Sequence, residues 1–346
     1  MASRLGVVGG NGFAGDIDEQ RLRQIRVVKR SSQGVDAGRP VAGIAALLIC
    51  GIARRWVRHT VDRRLPNVNS GPTYTMTPDD ASIVPAVDAA TVMLVRDSSA
   101  GVEVFMMRRN INAAFVGGAY VFPGGKVDPY DRMGEVAALC VGRDDDDASR
   151  RLSLASGGLA FWLAAVRECF EEAGVLLAID DTGRSVSFDD AAVAGRFDTC
   201  RHEVHSGALA LGDLCRDEGL RIDVGAMHYH SHWITPHGSP RRFDTRFFVA
   251  AAPPEQVPIH DDAELIASMW VRPEVALDMF AGGEIVIIEP TQRSLESLAS
   301  HSSVASILAA AAARTDRPDI VPRMVVNRDG FQIMIAGDAG YPGDNQ

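Results

Sequence analysis

Within the stretch VRECFEEAGVLL, Val166 to Leu177, three glutamates stand at Glu168, Glu171 and Glu172. On a helix, positions i, i+3 and i+4 share one face, so the three carboxylates project side by side. Like charges at that spacing repel by about 0.2–0.5 kcal/mol per pair, and no lysine lies in the stretch to relieve them. A hard divalent cation would, because it takes carboxylate oxygens and fills its remaining positions with water and phosphate. The chemistry implied is metal-assisted work on a phosphate. Arg167 lies one turn before Glu171 and could pair with it or with another carboxylate, holding the ligands in position. The alternative is an acidic helix face turned to solvent.

The elements that must position these residues are legible in outline. VDAATVMLV and VEVFMMRR read as two strands of a hairpin, split by a turn from Asp97 to Gly101. AYVFPGG is a third strand ending in a glycine loop. LAFWLAAVRECFEEAGVLLA reads as an amphipathic helix closed by Gly174. Helical stretches follow at Asp189 to Arg196 and Ala208 to Glu218, then strands in MHYHSHWITP and RRFDTRFFVAA. ELIASMWVRP is a strand or a helix-to-strand segment, and PEVALDMFAGG and PTQRSLESLAS carry helical spacing behind Pro273 and Pro290. The acidic run Asp144 to Asp147 reads as solvated loop charge before the long helix. His228, His230 and His232 alternate, so on a regular strand all three face one side. That side would be a polar face beside the substrate cleft or a separate zinc-type site.

Composition narrows the partners. The 346-residue chain is 46% hydrophobic and carries a formal net charge of -10, enough apolar content for a real core. Residues 1–75 hold 12 Lys/Arg against 5 Asp/Glu, whereas the remainder holds 23 against 40. So acidic a body argues against a nucleic-acid backbone as partner and suits divalent cations. The apolar run Val41 to Ala53 spans 13 residues, short of the ~20 that cross a bilayer. Five cysteines without CxxC spacing read as thiols in a reducing cytosol, so the expected location is cytoplasmic. Residues 1–75 read as a leader or as the product of a mistaken upstream start, with Met76 the alternative first residue.

RECFEEAGV, Arg167 to Val175, matches the REXXEEXGU half of the Nudix box, and FPGGKVDPYD resembles its glycine half. The chain therefore resembles a Nudix hydrolase. It departs from the family pattern in two ways: Asp131 stands where the family has Glu, and 35 residues rather than seven separate it from Arg167. That interruption, the VFPGGKVD start and the downstream WITPHGSPRRFDTRFFVA resemble the coenzyme A diphosphatase branch, typified by a peroxisomal enzyme.

The resemblance implies an α/β Nudix sandwich, a mixed sheet between helices, over residues 82–290, with insertions near 132–160 and 185–220 and a helical extension and tail at 291–346. It implies Mg²⁺ or Mn²⁺ held by Glu168, Glu171 and Glu172 with the Gly125 carbonyl, and a proton acceptor among Glu168, Glu172 and Glu264. Asp131 departs from the family's ligand both in residue type and in the insertion that follows it. Phe122, Arg108, Arg109, Arg241 and Arg242 are the expected substrate contacts, with Arg241 or Arg242 alternatively paired to Asp244 or a box glutamate. The implied reaction is pyrophosphate hydrolysis in a nucleoside diphosphate linked to another moiety, first coenzyme A or acyl-coenzyme A. ADP-ribose, NADH and dinucleoside polyphosphates are the alternatives, as is a catalytically silent nucleotide-sensing domain. The partner expected is a small-molecule nucleotide, with no nucleic acid, no membrane span and a homodimer as the candidate assembly.

Overall fold

A computed structural model describes residues 84–111, 116–236, 241–259, 265–315, 318–327 and 330–338, with residues 74–75, 239 and 341. All of them belong to one compact unit, residues 41–346. The leader apart from 74–75, the run Val41 to Ala53 and Glu264 lie outside the described residues.

The main sheet is mixed. Strand β1 (Ala86–Ser98) turns back through Ser99 and Ala100 into β2 (Gly101–Arg109). Two short strands, β3 (Tyr120–Val121) and β4 (Gly124–Lys126), carry the glycine loop and pair with β2 and β1 respectively. Strands β5 (His228–Ile234), β6 (Arg242–Ala251), β7 (Leu265–Val271) and β8 (Asp319–Ile320) complete it in the order β7-β2-β1-β6-β5-β8. The long β1–β6 pair is parallel and central, which is why TVMLV and RFFVA are near-continuous apolar runs rather than alternating ones. ELIASMWVRP thus resolves as the strand β7.

Helices cover both faces: α1 (Gly134–Ala137), α2 (Asp145–Leu152), α3 (Leu159–Ala173), α4 (Ala191–His205), α5 (Leu211–Asp217), α6 (Pro273–Ala281), α7 (Glu289–Ala299) and α8 (Val304–Ala313). On one face α3 packs against Val92, Leu94 and Phe248, with the Trp162 ring 4.5 Å from that of Phe248. On the other, Leu295 and Leu298 of α7 and Ile307 of α8 pack on Met93, Val95 and Val249. Two three-stranded sheets flank this sandwich: strands 140–141, 178–179 and 221–223, and strands 74–75, 323–327 and 330–334.

Helix α3 carries the glutamates and is buried on nearly every side rather than amphipathic; Glu168 is its one residue outside the buried class. It ends where expected, at Gly174 in the left-handed conformation with φ 66°. Its N-terminus begins at Gly158, which has no side chain to cap it. The caps come from α2. Asp145 accepts from the Leu159 and Gly157 N–H groups at 2.9 and 2.8 Å, and Ser149 Oγ accepts from Gly158 at 2.9 Å. The acidic run is therefore no solvated loop: Asp144 caps α2, and Asp145 to Asp147 form its first turn, where the helix dipole favours acids.

Strand β5 corrects the histidine reading. A β-bulge skips His230, so His228 pairs with Val249 and His232 with Arg246. The bulge shifts the alternation by one, so His232 joins the α3 face while His228 falls on the other.

Replacing Asp145 with Ala leaves two N–H groups at the start of α3 without their acceptor and is expected to cost about 1–2 kcal/mol in urea unfolding. The exposed neighbour Asp146→Ala is expected to cost under about 0.5 kcal/mol. Equal losses would mean that the capping is not what the run contributes.

Candidate active site

The site is assembled around one guanidinium. Arg167 projects from α3 with a side chain 9% exposed and collects four acceptors. Its Nε and Nη2 donate to the Asp131 carboxylate at 3.1 and 3.0 Å. Nη2 also donates to the Lys126 carbonyl at 2.8 Å, and Nη1 donates to Glu168 Oε1 at 2.9 Å and Glu171 Oε1 at 3.1 Å. The pairing of Arg167 with Glu171 expected from their spacing is present. Asp131 is something other than the ligand it resembles in register. It is 3% exposed, holds Arg167 in a forked contact and accepts from the Asp128 N–H at 2.8 Å. The two halves of the interrupted box thus meet across the insertion through an ion pair.

The glycine loop is held by the third glutamate. Glu172 Oε2 accepts from the Gly124 N–H at 2.8 Å. Beside it, a Cβ on Gly125 would meet the Glu168 carboxylate, so a larger residue there would push that carboxylate from its place. Glu171 and Glu172 are 8% and 7% exposed, which excludes the solvent-facing acidic surface.

Electrostatics follow from burial. Burial, reinforced by the Glu171 carboxylate, pushes the Glu168 carboxyl up to about 7, although Arg167 opposes the shift. For Arg167 burial works against the charge, but the hydrogen bonds to Asp131 and the charges of Glu168 and Glu171 outweigh it and hold the guanidinium above its ordinary range. Burial also raises the Cys140 and Cys215 thiols to about 12, so neither is poised as a nucleophile.

Among the described residues no three His, Cys, Asp or Glu side chains close on one point as a finished metal cage. None is required: Mg²⁺ is commonly held by one or two carboxylates, with water and substrate phosphate completing its shell. Two buried carboxylates beside a side-chain-free stretch of backbone fit such an ion.

The other expected residues are not brought here by any described contact. Phe122 is 3% exposed within the α7–α8 core, because alternation along Tyr120, Val121 and Phe122 puts its ring on the face opposite Val121. Arg242 is buried and donates to the Thr235 and Val84 carbonyls, which makes it a strap on β6. Asp244 pairs with Arg246 and His232, not with Arg241 or Arg242. Arg241 and Arg108 are exposed, and Arg109 has a buried Nε without a partner among the described residues. His232 also meets Asp319. It stands three strands across from Gly125 in one row, through Ala90 and Arg246, about 14 Å at sheet spacing. Sequence reasoning missed Arg201, which donates to the Glu171 carbonyl at 3.0 Å, and His205, whose Nδ1 is 3.6 Å from Glu171 Oε2. Their four-residue spacing on a helix was the available signal.

A mixed sheet between helices, with a glycine loop laid against an arginine-centred cluster of glutamates, is the architecture of the Nudix fold. The NUDT19 Nudix domain family matches residues 142–298, a span that contains the glutamates and begins after the glycine loop. The chain is 29% identical over 280 residues to acyl-coenzyme A diphosphatase NUDT19 of Gallus gallus, covering 70% of this chain and 73% of that protein. The Homo sapiens protein of the same name is 27% identical over 279 residues, covering 71% and 74%. A crystal structure of a NUDIX hydrolase from Alicyclobacillus acidocaldarius is similar with a TM-score of 0.55 and 28% identity, covering 65% of this chain and 96% of that one. The chain is thus similar to the coenzyme A diphosphatases of the Nudix family.

Glu168 yields a prediction for the metal-free protein. Its folded value of about 7 stands above the ordinary 4.5, so across that window the folded chain keeps a proton that the unfolded chain has released, and stability falls as pH rises. Glu168→Gln removes the cost of ionisation. It is expected to raise the thermal midpoint at pH 8 by a few degrees and to leave it nearly unchanged at pH 5. The same shift at both pH values would contradict the assignment.

Proposed function

We propose that this chain hydrolyses the diphosphate bond of coenzyme A or an acyl-coenzyme A. Water adds to one phosphorus and the P–O–P bridge breaks, giving 3',5'-ADP and (acyl-)4'-phosphopantetheine. The observation that carries the reading is the Arg167 cluster: buried carboxylates ordered beside a glycine loop, on a chain similar over about 70% of its length to acyl-coenzyme A diphosphatases.

Each residue has a task within this reading. Glu168 and Glu171, with the Gly125 carbonyl, would hold Mg²⁺ or Mn²⁺. Such an ion supplies charge neutralisation for the diphosphate and Lewis acidity toward the attacking water. Arg167 keeps the two carboxylates turned to one place, and Asp131 keeps Arg167 there. Glu172 fixes the glycine loop through the Gly124 N–H. Burial raises the Glu168 carboxyl to about 7 in the metal-free site, and a bound ion would hold it ionised.

The test is a panel of coenzyme A, acyl-coenzyme A, ADP-ribose, NADH and dinucleoside polyphosphates with Mg²⁺ or Mn²⁺, with products identified by mass. Release of 3',5'-ADP from coenzyme A or an acyl-coenzyme A is expected, with loss on chelation and a fall of at least about 10²-fold in kcat for Glu171→Gln. Turnover confined to ADP-ribose, NADH or dinucleoside polyphosphates would overturn the substrate. Binding without turnover on the whole panel would favour the silent nucleotide-sensing reading.

A further inference from the structure

Arg201 and His205 lie four residues apart on α4 and so share one face of it. Arg201 is 5% exposed and reaches the Glu171 carbonyl, while its Nη2 pairs with Asp198 at 2.9 Å. That docks the last turns of α4 on the C-terminal half of α3. One turn further on, His205 Nδ1 faces Glu171 Oε2 at 3.6 Å, whereas the other oxygen of that carboxylate, Oε1, is taken by Arg167 at 3.1 Å.

The separation is informative. At 3.6 Å it is too long for a hydrogen bond. It is close to the ~3.0–3.5 Å between two donors that share an ion at about 2.0–2.2 Å. The His205 side chain is 44% exposed and that of Glu171 10%, so the imidazole is open to solvent while the carboxylate beside it is shielded.

We infer that His205 is a nitrogen ligand to the divalent ion anchored on Glu171, so that the site is a mixed oxygen and nitrogen site rather than a set of carboxylates alone. This rests on the metal reading given under the proposed function. One carboxylate and one imidazole suffice as an anchor, since water and phosphate complete the shell. The consequence is selectivity. Mg²⁺ takes oxygen ligands and gains little from an imidazole, whereas sites containing nitrogen strengthen along the first-row series that starts at Mn²⁺. The His205→Gln exchange is expected to weaken Mn²⁺ binding about tenfold and to change Mg²⁺ binding less than about twofold.

Pulsed electron paramagnetic resonance of the full chain loaded with Mn²⁺ tests this directly. The wild type is expected to show ¹⁴N modulation from a directly bound imidazole. His205→Gln is expected to lose it while retaining bound Mn²⁺ and an unchanged thermal midpoint. Mn²⁺ that depends on Glu171 but shows no nitrogen modulation would overturn the inference and leave the metal reading standing, as would modulation that persists in His205→Gln. Mn²⁺ binding that is the same in Glu171→Gln as in the wild type would overturn both.

Discussion

Everything at this site depends on a buried arginine having more acceptors than it can do without. Glu168 and Glu171 are like charges on one face of a nearly inaccessible helix, a placement that burial alone would drive to protonation or disperse. Arg167 changes the balance by donating to both, and Asp131 makes the guanidinium's own position stable by accepting two further bonds. Buried ion pairs of this kind add little net stability against a hydrophobic replacement, but losing one partner is costly, about 3–5 kcal/mol, because a buried charge is left alone. The arrangement is therefore better understood as geometry than as stability.

The insertion belongs to this geometry. The chain leaves the box after Asp131 and returns to it at α3, and the intervening residues bring α2, whose Asp145 and Ser149 supply the caps that Gly158 cannot. A second stretch beyond α3 brings α4, whose Arg201 binds the Glu171 carbonyl near the helix end. Helix α3 is thus gripped at both ends by segments that, in sequence, look like interruptions.

How much of this could be read from the residues varies with the range of the interaction. The glutamates and Arg167 were legible because helix periodicity is local, and the Gly174 stop because a C-terminal glycine has a conformational reason. The glycine loop was legible as a motif, though not the close approach of Gly125 to Glu168. The acidic run was misread because its acceptor role depends on a helix start more than ten residues away. The histidines were misread because a single bulge in β5 inverts the alternation on which the inference stood. Phe122 and Arg242 have the composition of ligand contacts, and only the packing of Phe122 beside α7 and α8 and the carbonyls of Thr235 and Val84 show them to be core and strap. Asp131 looked like a weakened ligand because spacing alone does not distinguish a metal ligand from the partner of an arginine 36 positions on.

The Asp131–Arg167 pair joins the two halves of the divided box across the insertion. A double-mutant cycle joining Asp131→Asn and Arg167→Met, read in kcat/KM with the hydrolysed substrate, tests it most directly. If the pair acts as a unit, the double variant is no more impaired than the worse single variant, with a coupling of at least about 1 kcal/mol. Additive losses, within about 0.3–0.5 kcal/mol, would mean that the two halves contribute independently and would contradict the account.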